Sequence, residues 1–158
     1  MFAHTQVILR VAPARFEGSY TFDHAKYLIV DAGYPDAVTI LGSSNLTYSG
    51  LGGGNREYDW ATTNRAVVTA LTQVFNADWT GKRAGSAPRK VLVLSPGAQQ
   101  ALVALIGSAH LTIDIETEEF GYVPAVVAAL QAKLREHVNV RIVVPSSLSS
   151  YDLRQVGT

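Results

Sequence analysis

Short apolar runs separated by turn-forming residues dominate the first half of the chain. Residues 7–11 are apolar apart from Arg10 and read as a strand, which Pro13 and Gly18 then break. Tyr27-Leu28-Ile29-Val30 is a second run of aromatic and branched side chains, and residues 38–41 are a third. Gly33, Pro35 and Asp36 supply turn chemistry between them, so residues 27–41 read as a hairpin. A glycine-rich loop follows at residues 50–55, then a short strand at residues 58–62. Between residues 64 and 79, Val67, Val68, Leu71, Val74, Phe75 and Trp79 recur at helical spacing and predict an amphipathic helix.

The pattern changes after residue 79. Residues 80–89 are small, polar and basic with no apolar anchor, and read as a linker. Beyond it the chain predicts a strand at residues 91–94, a helix at 99–108 and a strand at 111–115. A helix follows at 123–137 with Pro124 in its first turn, then a strand at 138–144. That alternation predicts an α/β layered unit with a largely parallel sheet, and the polar tail 146–158 is expected to fray. The domain reading is 1–80, a linker at 81–89, and 90–158.

Charge and composition narrow the function classes. The 158 residues carry 13 Lys plus Arg against 13 Asp plus Glu, so no broad basic field marks a nucleic-acid binder. Cysteine is absent, which removes disulfides, thiolate metal sites and cysteine nucleophiles. No apolar run approaches the ~18 residues of a membrane span, and the first residues lack the cationic flank and apolar stretch of a signal peptide. A soluble globular chain is expected.

Candidate chemistry gathers in His24-Ala25-Lys26 and Gly42-Ser43-Ser44-Asn45. In an extended strand His24 and Lys26 share a face, and a hairpin return brings Gly42, Ser43 and Asn45 level with them. An imidazole, an ammonium, a hydroxyl and a carboxamide in one pocket suit a phosphodiester. The imidazole attacks phosphorus or passes a proton, and the others hold non-bridging oxygens. No cofactor is expected. Among the acidic residues Glu116, Glu118 and Glu119, no histidine is spaced to complete a metal site, so a solvated strand end is favoured.

His24, Lys26 and Asp31 in H-x-K-x4-D, followed by G-S-x-N at 42–45, resemble the phospholipase D superfamily of phosphodiesterases and phosphatidyltransferases, in particular bacterial phospholipase D-like and cardiolipin synthase-like proteins. Asn55-Arg56-Glu57 is similar to the family's N-R-E segment, and residues 74–79 resemble its F…DW helix end. The resemblance implies a phospholipase D-like mixed sheet flanked by helices and a metal-free reaction through a phosphohistidine. His24 would be the nucleophile or the acid, with Lys26 and Asn45 on phosphate oxygens and Ser43 assisting. Glu57 would hydrogen-bond the other imidazole nitrogen, and Asp31 and Gly42 would be structural. Phospholipid head groups are the first choice of substrate and a nucleic acid the second; peripheral membrane contact is a separate expectation.

Residues 90–145 resemble the opening of a phospholipase D half-domain, whereas residues 1–80 resemble the closing part of one. The chain therefore carries incomplete or permuted half-domains and a single motif, because His4, His110 and His137 lack a lysine two residues on. One motif supplies one imidazole, while attack and leaving-group protonation need two. The resemblance thus implies a second motif, supplied either by a homodimer that pairs two His24 residues or by a region outside this sequence. The alternative is a non-catalytic phosphate-binding fragment. The aromatic set Tyr20, Phe22, Tyr27, Tyr34 and Tyr48 fits a lipid entrance and core packing equally well.

Overall fold

The computed structural model describes residues 7–18, 21–121 and 123–145. They fall in two compact units, Met1–Leu92 and Val93–Thr158. Tyr20 and the tail 146–158 lie outside the described residues.

The first unit is a mixed α/β structure around an antiparallel sheet. Strands β1 (Glu17–Gly18) and β2 (Thr21–Phe22) form a small two-stranded ribbon. Strands β3 (Tyr27–Val30), β4 (Val38–Gly42) and β5 (Asp59–Thr62) form a three-stranded sheet in that order. Tyr27 pairs with Leu41 and Val30 with Val38, so residues 27–41 do form the expected hairpin. Its seven-residue tip begins at Asp31, which takes a left-handed φ of 53° and accepts the Tyr34 N–H at 3.0 Å. Aspartate is among the few non-glycine residues that tolerate that conformation.

Helix α1 (Tyr48–Leu51) is a single turn, and α2 (Arg65–Trp79) is the long amphipathic helix of this unit. Asn64 caps α2 by accepting the N–H groups of Ala66 and Val67. Its buried stripe, Val67, Val68, Ala70 and Leu71, is the core of the unit, each larger side chain contributing about 1.5–3 kcal/mol. Tyr27, Ile29, Thr39 and Leu41 share the better-buried sheet face. Thr39 is 1% exposed and donates its hydroxyl to the Leu28 carbonyl at 2.8 Å, which removes the cost of burying it. On the opposite face Leu28, Val30 and Ile40 stay exposed.

Two expected strands do not form. Residues 7–11 have no ladder partner; instead Arg10 lies 4.8 Å over the Trp79 ring and donates to the Trp79 carbonyl at 2.9 Å. Arg15 reaches the carbonyls of Gly81 and Lys82 and pairs with Asp78. Two guanidiniums thus satisfy the carbonyl end of α2, where the helix dipole favours cations. Residues 91–94 likewise form no strand, because the chain coils around a 3-10 turn at Pro88–Lys90 whose Pro88 carbonyl accepts the N–H groups of Val91 and Leu92. Pro88 is fully buried, an apolar anchor inside the stretch expected as a linker. An apolar run marks what can pair and does not supply the partner.

In the second unit, α3 (Ala98–Gly107) precedes β6 (Thr112–Glu116), and α4 (Pro124–Arg135) crosses over to β7 (Asn139–Val143). β6 and β7 pair in parallel, so the parallel sheet expected here has two strands, the first predicted strand being absent. Pro124 opens α4 as expected, but the helix stops at Arg135, and His137 turns left-handed with φ 63°. Ile106, Val127, Leu130 and Val138 are buried, and α3 packs on α4. Arg141 grips its cross-strand neighbour Asp114 through two 2.7 Å bonds, which hold the Asp114 carboxyl below its ordinary value. Among the described residues no helix is long and apolar enough to cross a membrane, and no three His, Asp or Glu side chains gather to hold a metal ion.

Candidate active site

The hairpin register carries the motif. The ladder of β3 and β4 continues one residue past Tyr27, where the Gly42 N–H donates to the Lys26 carbonyl at 3.2 Å. Gly42 therefore returns level with Lys26, and residues 43–45 continue from that end of the sheet. Strand geometry itself begins at Tyr27, so His24 and Lys26 sit in the extended approach to β3 rather than within it. The Lys26 ammonium folds back onto the His24 carbonyl at 2.8 Å. The imidazole is exposed and meets the Phe22 ring edge to face, with centroids 5.5 Å apart.

The serine side is held much more tightly. Ser43 Oγ donates to Glu57 Oε2 at 2.6 Å and accepts the Tyr58 N–H at 3.0 Å, while the Ser43 N–H donates to the Tyr58 carbonyl at 3.1 Å. Ser44 hydrogen-bonds Asp59 through both its hydroxyl and its N–H. Two glycines admit this packing. A Cβ on Gly42 would stand 2.1 Å from Asp59 Oδ1 and 2.2 Å from the Tyr58 carbonyl; one on Gly50 would stand 2.4 Å from the Asn45 carbonyl. Gly50, read from sequence as part of a glycine-rich loop, is thus fixed by close backbone approach.

These contacts revise two expected roles. Glu57 takes Ser43, with Asn55 Nδ2 at 3.4 Å on its other oxygen, rather than the second nitrogen of the imidazole. A serine hydroxyl has one proton to donate, and Ser43 spends it on Glu57, so in this geometry it braces the turn instead of donating to a phosphate oxygen. Asn45 remains exposed directly after the braced segment, with its carbonyl accepting the Thr47 N–H at 2.8 Å. Asp31 stands at the far end of β3, about 13 Å along the strand from Tyr27, so its place is the hairpin turn. Ser44 and Asp59 were not singled out from sequence. The signal was a second serine in the motif, facing an aspartate at the start of the next strand.

Tyr27, next to Lys26, is half-buried. Burial, with the nearby carboxylates of Asp78 and Asp23 adding to it, pushes its phenol up to about 12. Burial also raises the Asp78 carboxyl, against the opposing pull of Arg15.

Residues 3–79, just under half of the chain, match the family described as cardiolipin synthase, PLD-like domain. No curated protein and no solved structure matches. The matched stretch spans every motif residue described above, from His24 to Glu57. Phosphodiester cleavage and phosphatidyl transfer are the general chemistry of such domains, which commonly act on phospholipids and pair as dimers. The match supports membership of the phospholipase D superfamily for residues 3–79.

Proposed function

We propose that the chain cleaves or transfers phosphodiesters through a covalent intermediate on His24, with phospholipid head groups as its substrates. The observation that carries this reading is the hairpin return, in which the Gly42 N–H meets the Lys26 carbonyl and brings Asn45 to the imidazole end of the sheet. His24 attacks phosphorus, forming an N–P bond as the P–O bond to the leaving alcohol breaks. Lys26 and Asn45 hold the non-bridging oxygens, whose charge persists through the transition state. Ser43 and Glu57 brace the turn that presents Asn45.

The leaving oxygen needs a proton from a second imidazole, and water or an alcohol then takes the phosphoryl group from His24. The closing half-domain part in residues 1–80 carries one such group, and the opening part in residues 90–158 carries no second motif. A second copy of the chain supplies the other His24.

Turnover of a chromogenic phosphodiester over a dilution series tests both points. Specific activity is expected to fall on dilution and to vanish in His24→Asn. Activity unaffected by that substitution overturns the nucleophile. Constant specific activity at the lowest concentrations overturns the pairing.

A further inference from the structure

The aspartate that opens β5 borders the candidate site without a chemical part in the reaction proposed for it. Asp59 pairs with Gly42 across the β4–β5 ladder. Its carboxylate reaches past Gly42 to Ser44, through space that a side chain would fill: a Cβ on Gly42 would stand 2.1 Å from Asp59 Oδ1. There Oδ1 accepts the Ser44 N–H at 3.3 Å, and Oδ2 accepts the Ser44 hydroxyl. Ser44 is 8% exposed, so losing both acceptors would leave an N–H and a hydroxyl unpaired where water hardly reaches them.

Two bonds to one residue fix its backbone and its side-chain rotamer together, and Ser44 is the residue directly before Asn45. On the other side, the Asn45 carbonyl accepts the Thr47 N–H at 2.8 Å, and Gly50 presses against the Asn45 backbone so closely that no side chain fits there. The backbone of Asn45 is thus held from both directions, while the residue itself stays exposed. Ser43 and Glu57 act one residue further away.

Asp59 is unsuited to serving a phosphate directly. A carboxylate only accepts hydrogen bonds, as do the non-bridging oxygens of a phosphodiester, and the two charges repel. Any gain it brings to the site has to pass through the groups it orders.

We propose that Asp59 is a positioning residue that, through Ser44, fixes the direction in which Asn45 presents its carboxamide to a phosphate oxygen. The phosphate half of this proposal rests on the functional reading above; the hold of Asp59 on the turn does not.

A double-mutant cycle on the full chain tests it. Orthovanadate affinity, followed by NMR at the His24 imidazole, is measured for the parent, Asp59→Asn, Asn45→Ala and the double variant. Asp59→Asn keeps the size of the side chain and removes one of its two acceptors. It is expected to weaken binding about tenfold when Asn45 is present, and by less than about twofold in the Asn45→Ala background. Equal weakening in both backgrounds overturns the proposal, because Asp59 would then support the site as a whole and not through Asn45. Unchanged affinity in Asp59→Asn overturns it too. Should Asp59→Asn fail to fold, Ser44→Ala runs the same cycle from the other partner, with the same expectation and the same contrary results.

Hydrogen exchange separates this proposal from the functional reading. The Ser44 amide is expected to exchange at least about tenfold faster in Asp59→Asn than in the parent; equal rates overturn the hold. A parent chain that binds no orthovanadate but shows the exchange contrast sinks the functional reading and leaves the hold standing. A parent that binds orthovanadate as tightly as Asp59→Asn does sinks the role of Asp59 alone.

Discussion

The two sides of the candidate site are built to different standards of rigidity. Gly42, Ser43 and Ser44 are locked to Glu57, Tyr58 and Asp59 by side-chain and backbone bonds and by a glycine that leaves no room for a methyl group. His24 is exposed, with one ring contact to Phe22 and its carbonyl taken by Lys26. In the proposed mechanism the braced side fixes the turn that presents Asn45, whose carboxamide must hold position as charge develops. In the proposed mechanism the open imidazole side suits a group that must meet both a substrate and a second imidazole. Rigidity and reactivity are thus divided between the two arms of one hairpin.

Substitutions on the two arms sharpen that contrast. His24→Asn should cost at least about a thousandfold in phosphodiester turnover while leaving the urea midpoint unchanged, measured on the same preparation. A parallel loss of stability would show that the imidazole is structural. Gly42→Ala should do the opposite and destabilise by about 1–3 kcal/mol in urea denaturation, because the new methyl group meets the Tyr58 carbonyl and Asp59. A variant as stable as the parent would mean that β4 and β5 can part at no cost. Ser44→Ala, which leaves the Asp59 carboxylate without its hydroxyl donor, should cost about 1–2 kcal/mol.

The smallest effect concerns Tyr27, beside the open arm. Its phenol, pushed up to about 12, lies above its ordinary value of 10.0. The contribution of the neutral phenol to stability is therefore complete below pH 10 and lost as pH climbs through 12. Ultraviolet titration should show one tyrosine ionising last, absent in Tyr27→Phe and shifted down in Asp78→Asn. An ordinary midpoint for every tyrosine would contradict the burial and carboxylate field assigned to it.

Much of this architecture was legible in the sequence, for identifiable reasons. The hairpin and α2 announced themselves because their periodicities are local: alternating or branched runs around turn residues, and a 3.6-residue stripe capped by Asn64. Residues 7–11 and 91–94 misled because strand formation depends on a neighbour, and here Arg10 and Pro88 draw the chain elsewhere. At the site, the hairpin spacing foretold that Gly42 meets Lys26 across the strands. What it did not reveal was the division of labour among polar groups. Whether Glu57 takes an imidazole or Ser43 is settled by angstroms at the turn between β4 and β5, and Ser44 with Asp59 shows only once the register is known.

The central claim is that His24, Lys26 and Asn45 converge on one phosphate-sized anion. Titrating orthovanadate into isotope-labelled chain, and following the His24 imidazole, the Lys26 ammonium and the Asn45 carboxamide by NMR, tests it most directly. The account predicts that all three respond along one saturation curve and that His24→Asn abolishes the response at the other two. Independent curves for the three groups, or a response centred instead on the groove beside Tyr34 and Arg65 at the opposite end of the hairpin, would contradict it.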